Sequence, residues 1–520
     1  MNGSRNARTV MISVLRIPVG YLVGVTLIWS VMGLSPAIAQ APKDRHSLHQ
    51  VQQRHRERFR EFSNQIEKLA EKCDEKGFVK DAAQIRARMF VPDSQSLRVE
   101  KLPTEVRPPI PANVTGDERA SQIQLRHLET DYAKDLCLQA RLAASQGFPS
   151  YAYDLVREAA MHDSDNQQVR RILGFERQKN EWMTPFASSQ IRQGKVWHEE
   201  FGWLPLSYRQ RYIDGERHFN DRWVTAEKER ELRRDFKSAW EIRTDHYLIK
   251  TNVSLERGVE MGKALEDFYE VFNETFAGFF LTPGQLKKLF DGTLKNGRPD
   301  SKPYTVHFYR TREEYLERMR KFFPNIDQTN GVYLTSDRVS HFYHDPKHDH
   351  EGTLFHEATH QLFFESDSAN RTICENHHFW IIEGIACYME SFQRKNGAFT
   401  LGDPKHIRFD RARYNLLHEK YYVSLRDFSE FGMQGFQGSH ELVKNYTQAA
   451  GLSRFFMHYD KGRYREALVN HLVQLYSSDK RIRDQAQGLD ELTGVDFAEL
   501  DREYAEDARE IEVQLAAPAQ

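Results

Sequence analysis

The chain has 520 residues, with 73 Lys+Arg against 75 Asp+Glu and a formal net charge of -2, so it lacks the basic excess of a dedicated nucleic-acid binder. Its 33 Phe, 22 Tyr and 7 Trp are too many for a disordered chain. Only one stretch is apolar enough to span a bilayer, which excludes a polytopic membrane protein, and the length allows two to four domains.

That stretch lies at the N-terminus. Arg5, Arg8 and Arg16 make a basic start with no acidic residue in the first 42 positions, the run 17–34 is apolar, and residues 35–39 (SPAIA) are small enough for processing. The expected outcome is a signal peptide over 1–39, cut after Ala39; the alternative is an uncleaved anchor. Either way the rest of the chain is exported, to the periplasm or the outside. Four cysteines, Cys73, Cys137, Cys374 and Cys387, are too few for a disulfide framework. Cys374 and Cys387 are the one pair close in sequence, and they read either as a bridge or as two buried thiols.

Residues 40–102 are dense in charge, with Phe59, Phe62, Ile66 and Leu69 at helical spacing, and read as an exposed helical arm. Pro103, Pro108, Pro109 and Pro111 make 103–116 a semi-rigid linker. Residues 117–235 begin with a helix, a glycine turn and a second helix, similar to one tetratricopeptide-like pair. A short repeat follows, in which Gly174 precedes Trp182 and Thr184 as Gly215 precedes Trp223 and Thr225, with Trp197 and Trp203 between. Glycine turns followed by Trp predict small β-hairpins, the rings either plugging miniature cores or forming a ligand-binding aromatic surface. From 240 to 512 strands (246–251, 304–309, 331–334, 338–343) alternate with helices (259–276, 312–322), and almost everything after 353 reads as helix. Residues 513–520 form a tail.

The chemistry is carried by residues 354–364, LFHEATHQLFF, which hold H-E-x-x-H on a helical pattern. Positions i and i+4 share a helix face, so His356 and His360 can reach one ion, while Glu357 stands beside them to take a proton from water. A chain of this composition yields about 0.08 such matches by chance, so the motif alone is not decisive. A catalytic zinc site needs three protein ligands and one open position. The extended third histidine is absent, since Phe363 and Ser366 stand where Gly and His belong. Glu383, in a second helical segment WIIEGIACYME, supplies a carboxylate as third ligand instead.

These two segments resemble the gluzincin metallopeptidases, and among them the peptidase-MA-like group of secreted bacterial proteins, which show H-E-x-x-H and then W-x-x-E-G-x-A-x-Y. The resemblance spans about 245–505. It implies an α+β fold with a zincin-like catalytic domain: a small mixed sheet, active-site helices and a helical C-terminal part. A mainly helical N-terminal region with Trp-bearing hairpins precedes it. It also implies Zn2+ held by His356, His360 and Glu383, with Glu357 as general base and acid. Residues 331–333 correspond to the edge strand along which a peptide aligns, and Tyr446 is the candidate donor to the oxyanion, with His440 as runner-up. In some gluzincins an Asp four residues after the third ligand orients a ligand histidine. Here that position is Cys387, which leaves Glu390 as a replacement or a Cys374–Cys387 bridge as a brace.

A second group, His341, His344, Asp345, His348, Asp349 and His350, reads as a polar loop into the motif helix with Asp349 or Thr353 near its N-cap, or else as an auxiliary metal site. His377 and His378 read as ordinary loop residues. The expected function is an exported zinc peptidase acting on proteins or peptides. It has no nucleic-acid partner and no membrane contact beyond an uncleaved anchor. The alternative is a non-catalytic cell-envelope scaffold.

Overall fold

A computed structural model describes residues 45–89, 96–114, 116–294, 302–323, 326–348, 350–366, 373–395 and 397–517. The N-terminal segment 1–39 and Asp349 lie outside these residues. The architecture is mixed α and β, and no helix among the described residues is long and apolar enough to cross a membrane.

Three long helices and two short ones, Val79–Arg86 and Gln167–Ile172, build the N-terminal region among the described residues. Arg45–Glu75 lies along Gly116–Ser145, which pairs with Pro149–His162 across a turn where Gly147 has a φ of 89°. The first helix is not a free arm. Val51, Phe62, Ile66, Leu69 and Cys73 are buried against Tyr132, Ala133, Leu136 and Ala140, and the rings of Phe62 and Tyr132 stack at 4.4 Å. The alanine face of the second helix lets the two approach closely, so a sparse apolar seam is enough to bury.

Three hairpins follow, Glu176–Gln178 with Glu181–Met183, Lys195–His198 with Gly202–Pro205, and Glu216–Phe219 with Arg222–Thr225. Each opens after a glycine of positive φ, Gly174 (88°), Gly194 (76°) and Gly215 (87°), a conformation in which a Cβ is strained. Each carries a Trp on its second strand: Trp182, Trp203 and Trp223. Thr184 and Thr225 then cap short helices by accepting from the Ala187 and Lys228 amides. The middle hairpin is a third copy, obscured in sequence because Pro205 replaces the capping threonine and the spacing is one residue longer.

A five-stranded sheet forms the floor of the C-terminal region, ordered Gly331–Leu334, Val339–Tyr343, Tyr304–Tyr309, Tyr247–Thr251, Trp240–Arg243. The three central strands are parallel and the two outer ones antiparallel to their neighbours. Period-two alternation sends Val306, Phe308 and Phe342 into the main core, and Tyr309, Val332 and Tyr343 into a smaller one beneath the helix Arg312–Met319. Two helices cover the main face, Leu255–Thr275 and Glu351–Glu365, meeting where Phe268 stacks on Phe355 at 4.9 Å. The strand Trp240–Arg243 carries no signal in sequence beyond the change of pattern near 240. A hairpin, Gln393–Lys395 with Ala398–Leu401, also interrupts the stretch expected to be helical.

The two regions are tied together. Leu97–Glu100, within the expected arm, pairs antiparallel with Ala398–Leu401. The buried Arg157 reaches Glu270 (2.8 Å), Glu274 (3.1 Å) and the Glu100 carbonyl (2.8 Å).

Candidate metal centre

The motif helix Glu351–Glu365 and the helix Phe379–Met389 lie side by side, and the second is clasped by Leu442–Gly462. Gly384 makes the clasp: a Cβ there would lie 2.6 Å from both the Ala449 carbonyl oxygen and Ser453 Oγ. That contact places Glu383, the preceding residue, toward the motif helix.

The helix face brings His356 and His360 together, ring centroids 4.9 Å apart. Glu383 Oε2 lies 3.4 Å from His356 Nε2 and 3.8 Å from His360 Nε2. Both Nε2 atoms and both Glu383 oxygens are buried without a hydrogen-bond partner. Unpartnered polar atoms in a protein interior are costly, and this cluster of four is one that could hold a cation. Two imidazole nitrogens and one carboxylate suit zinc.

His356 is oriented from behind. Its Nδ1 is 2.8 Å from Glu390 Oε1, so Nδ1 donates to that carboxylate and Nε2 is the ring nitrogen turned toward Glu383. Arg408 in turn donates to both Glu390 oxygens, at 2.8 and 2.9 Å. Glu390 therefore fills the role left open at Cys387. The thiol of Cys387 lies 4.0 Å from His356 Nδ1, and Cys374 and Cys387 are both free, so no bridge braces the helix.

Glu357 is 1 % exposed and divided in its duties. Its Oε2 accepts from the Tyr333 amide at 2.8 Å, and its Oε1 has no partner. That amide points off the free edge of Gly331–Leu334, so the edge strand itself holds the glutamate. Burial pushes the Glu357 carboxyl up to about 7, against the opposing pull of His356 and the Tyr333 amide. Burial also takes His360 down to about 4. Burial opposes charge on His356 too, but Cys387, Glu383 and Glu390 outweigh it and hold its pKa well above the usual imidazole value.

The remaining predicted residues divide. Tyr446, on Leu442–Gly462, is buried, and its pKa is raised by burial and then by the nearby charge of Glu383. The phenol stays protonated, close enough to Glu383 to feel its charge. His440 is exposed on the turn before that helix and lies outside the buried ligand set. The second histidine group comes apart: His341 is buried in the sheet, its Nδ1 2.9 Å from the Tyr309 hydroxyl, whereas His348 and His350 lie 2.9 and 3.4 Å from Asp345 in the loop before the motif helix. The N-cap of that helix is His350, with no side-chain cap, and Thr353 lies inside the first turn rather than at the cap. His378 is the N-cap of Phe379–Met389, with a φ of 60°, and His377 is exposed beside it. Arg408 and the Tyr333 amide carried no sequence signal, since neither falls at a fixed spacing from the motif.

No family model matches the chain, and neither a characterised protein nor a solved structure matches it.

Proposed function

We propose that this chain is an exported zinc peptidase of gluzincin type, with residues 240–512 as a zincin-like catalytic domain and the N-terminal half as its support. The observation that carries this reading is the convergence of unpartnered, buried His356 Nε2, His360 Nε2 and Glu383 oxygens next to the free Oε1 of Glu357. When bound there, zinc acidifies a water and polarises a peptide carbonyl.

The chain's own residues do the rest. Glu357 Oε1 takes the proton of the attacking water and returns it to the leaving amine, while its Oε2 stays tethered to Tyr333. Tyr446, held in its protonated form, donates a hydrogen bond to the oxygen on which negative charge develops. By the resemblance an extended peptide would align along the outer strand Gly331–Leu334, in the manner of strand addition, where the four residues are buried and the Tyr333 amide is already held by Glu357. The substrate class is therefore a protein or peptide in extended conformation.

The test is hydrolysis of a mixed peptide pool by the zinc-loaded chain, read by mass spectrometry beside Glu357→Gln. Cleavage is expected in the parent and a loss of about 10²–10⁴-fold in the variant. Equal cleavage by both contradicts the mechanism, and none by either favours the scaffold reading.

A further inference from the structure

The groups behind His356 carry an inference that rests on the metal-centre reading and deepens it. We propose that Arg408 is a positioning residue of the metal centre, which locks Glu390 against His356 and balances the charge of the loaded site.

The geometry is a relay. Glu390 Oε1 is shared: His356 Nδ1 approaches at 2.8 Å and an Arg408 terminal nitrogen at 2.9 Å, while Arg408 Nε donates to Oε2 at 2.8 Å. Glu390 lies just past the last turn of Phe379–Met389, at the helix C-cap. A glutamate there has three freely turning bonds. The planar fork of a guanidinium fixes both carboxylate oxygens at once, which an ammonium does not do.

Charge points the same way. Three carboxylates, the buried Glu357 and Glu383 and the partly buried Glu390, lie around the two histidines. Arg408 is the cation that meets Glu390 directly, and an ion between the histidines would meet Glu383. Removing the guanidinium leaves one carboxylate unbalanced in a dry site, a costly arrangement. The same contact decides the role of a second donor group. His356, Cys387 and Glu390 offer atoms within 4.8 Å of one another. A guanidinium already holds both Glu390 oxygens, so this trio serves the histidine rather than a second cation. Arg408 stands at the start of Ile407–Leu417, which follows the hairpin paired with Leu97–Glu100.

The experiment is competition between the protein and a chromogenic zinc chelator, for the parent chain, Arg408→Met, Arg408→Lys, Glu390→Gln and the double variant Glu390→Gln/Arg408→Met. Circular dichroism of the zinc-free forms verifies folding. The zinc Kd is expected to rise about 10–100-fold in Arg408→Met, less in Arg408→Lys, and no further when Arg408→Met is added to Glu390→Gln. The double variant removes the pair together, so it reports even if Arg408→Met alone does not fold. A parent-like Kd in Arg408→Met, or additive losses in the double variant, overturns the role of Arg408. A parent chain that binds no zinc overturns the metal-centre reading as well, which separates the two failures.

Discussion

Glu357 has two oxygens in different situations, one tied to the Tyr333 amide at 2.8 Å and one unpartnered. The asymmetry gives a carboxylate a fixed aim, and it could not be read from the motif, because it depends on which strand ends beside the helix. The meeting of His356, His360 and Glu383 was legible. The i, i+4 histidines need only a helix, and Glu383 needs only a second helix carrying a carboxylate. What remained hidden is the support: Arg408 lies 18 residues past Glu390 with no motif around it, and is joined to it only through the fold. Tyr446 gives a prediction at this scale. If its phenol stabilises developing charge, Tyr446→Phe retains zinc and lowers kcat by about 10²-fold or more, with KM nearly unchanged, in a steady-state assay on a cleaved peptide. An unaltered kcat removes Tyr446 from the mechanism.

Among elements, the clasp between Phe379–Met389 and Leu442–Gly462 sets the position of Glu383. It rests on the absence of one methyl group at Gly384. Gly384→Ala forces the helices apart or bends one of them, so the expected cost is about 1–3 kcal/mol, seen as a lower thermal midpoint together with weaker zinc binding. A parent-like midpoint would show that the contact is slack. The strands at 304–309 and 331–334 were visible from β-branched and aromatic runs between turn residues. Leu97–Glu100 was not, since its partner Ala398–Leu401 lies some three hundred residues away and its own four residues are half charged. Distance along the chain hides exactly the pairings that a local pattern does not encode; the charged first helix misled for a related reason, its buried seam being spelled in part by the alanines of its partner.

Among the described residues, a large core in the C-terminal region and another in the helical N-terminal region are joined through Arg157 and the small sheet. The second core contains a histidine. His162 is 4 % exposed, edge-on to Phe62 and Tyr132 at 4.9 Å, and burial takes its pKa down to about 4, with Glu158 and Glu129 pulling upward and Arg88 and His55 downward. The unfolded chain takes up this proton near pH 6.5, before the folded chain does. Its folded pKa being depressed, stability is intact above 6.5 and falls as pH drops toward 4, by at most about 1.4 kcal/mol per pH unit. His162→Leu is expected to flatten that decline in urea midpoints taken at pH 6.5 and 4.5. An unchanged slope would mean that the ring is already charged in the folded state.

The central claim is that His356, His360 and Glu383 form a metal site, and the most direct test is zinc per chain by elemental mass spectrometry after dialysis, for the parent, His356→Ala and Glu383→Ala. The account predicts close to one zinc in the parent and a loss or marked weakening in both variants. A parent that stays free of zinc after reconstitution, or variants that retain it in full, would contradict it.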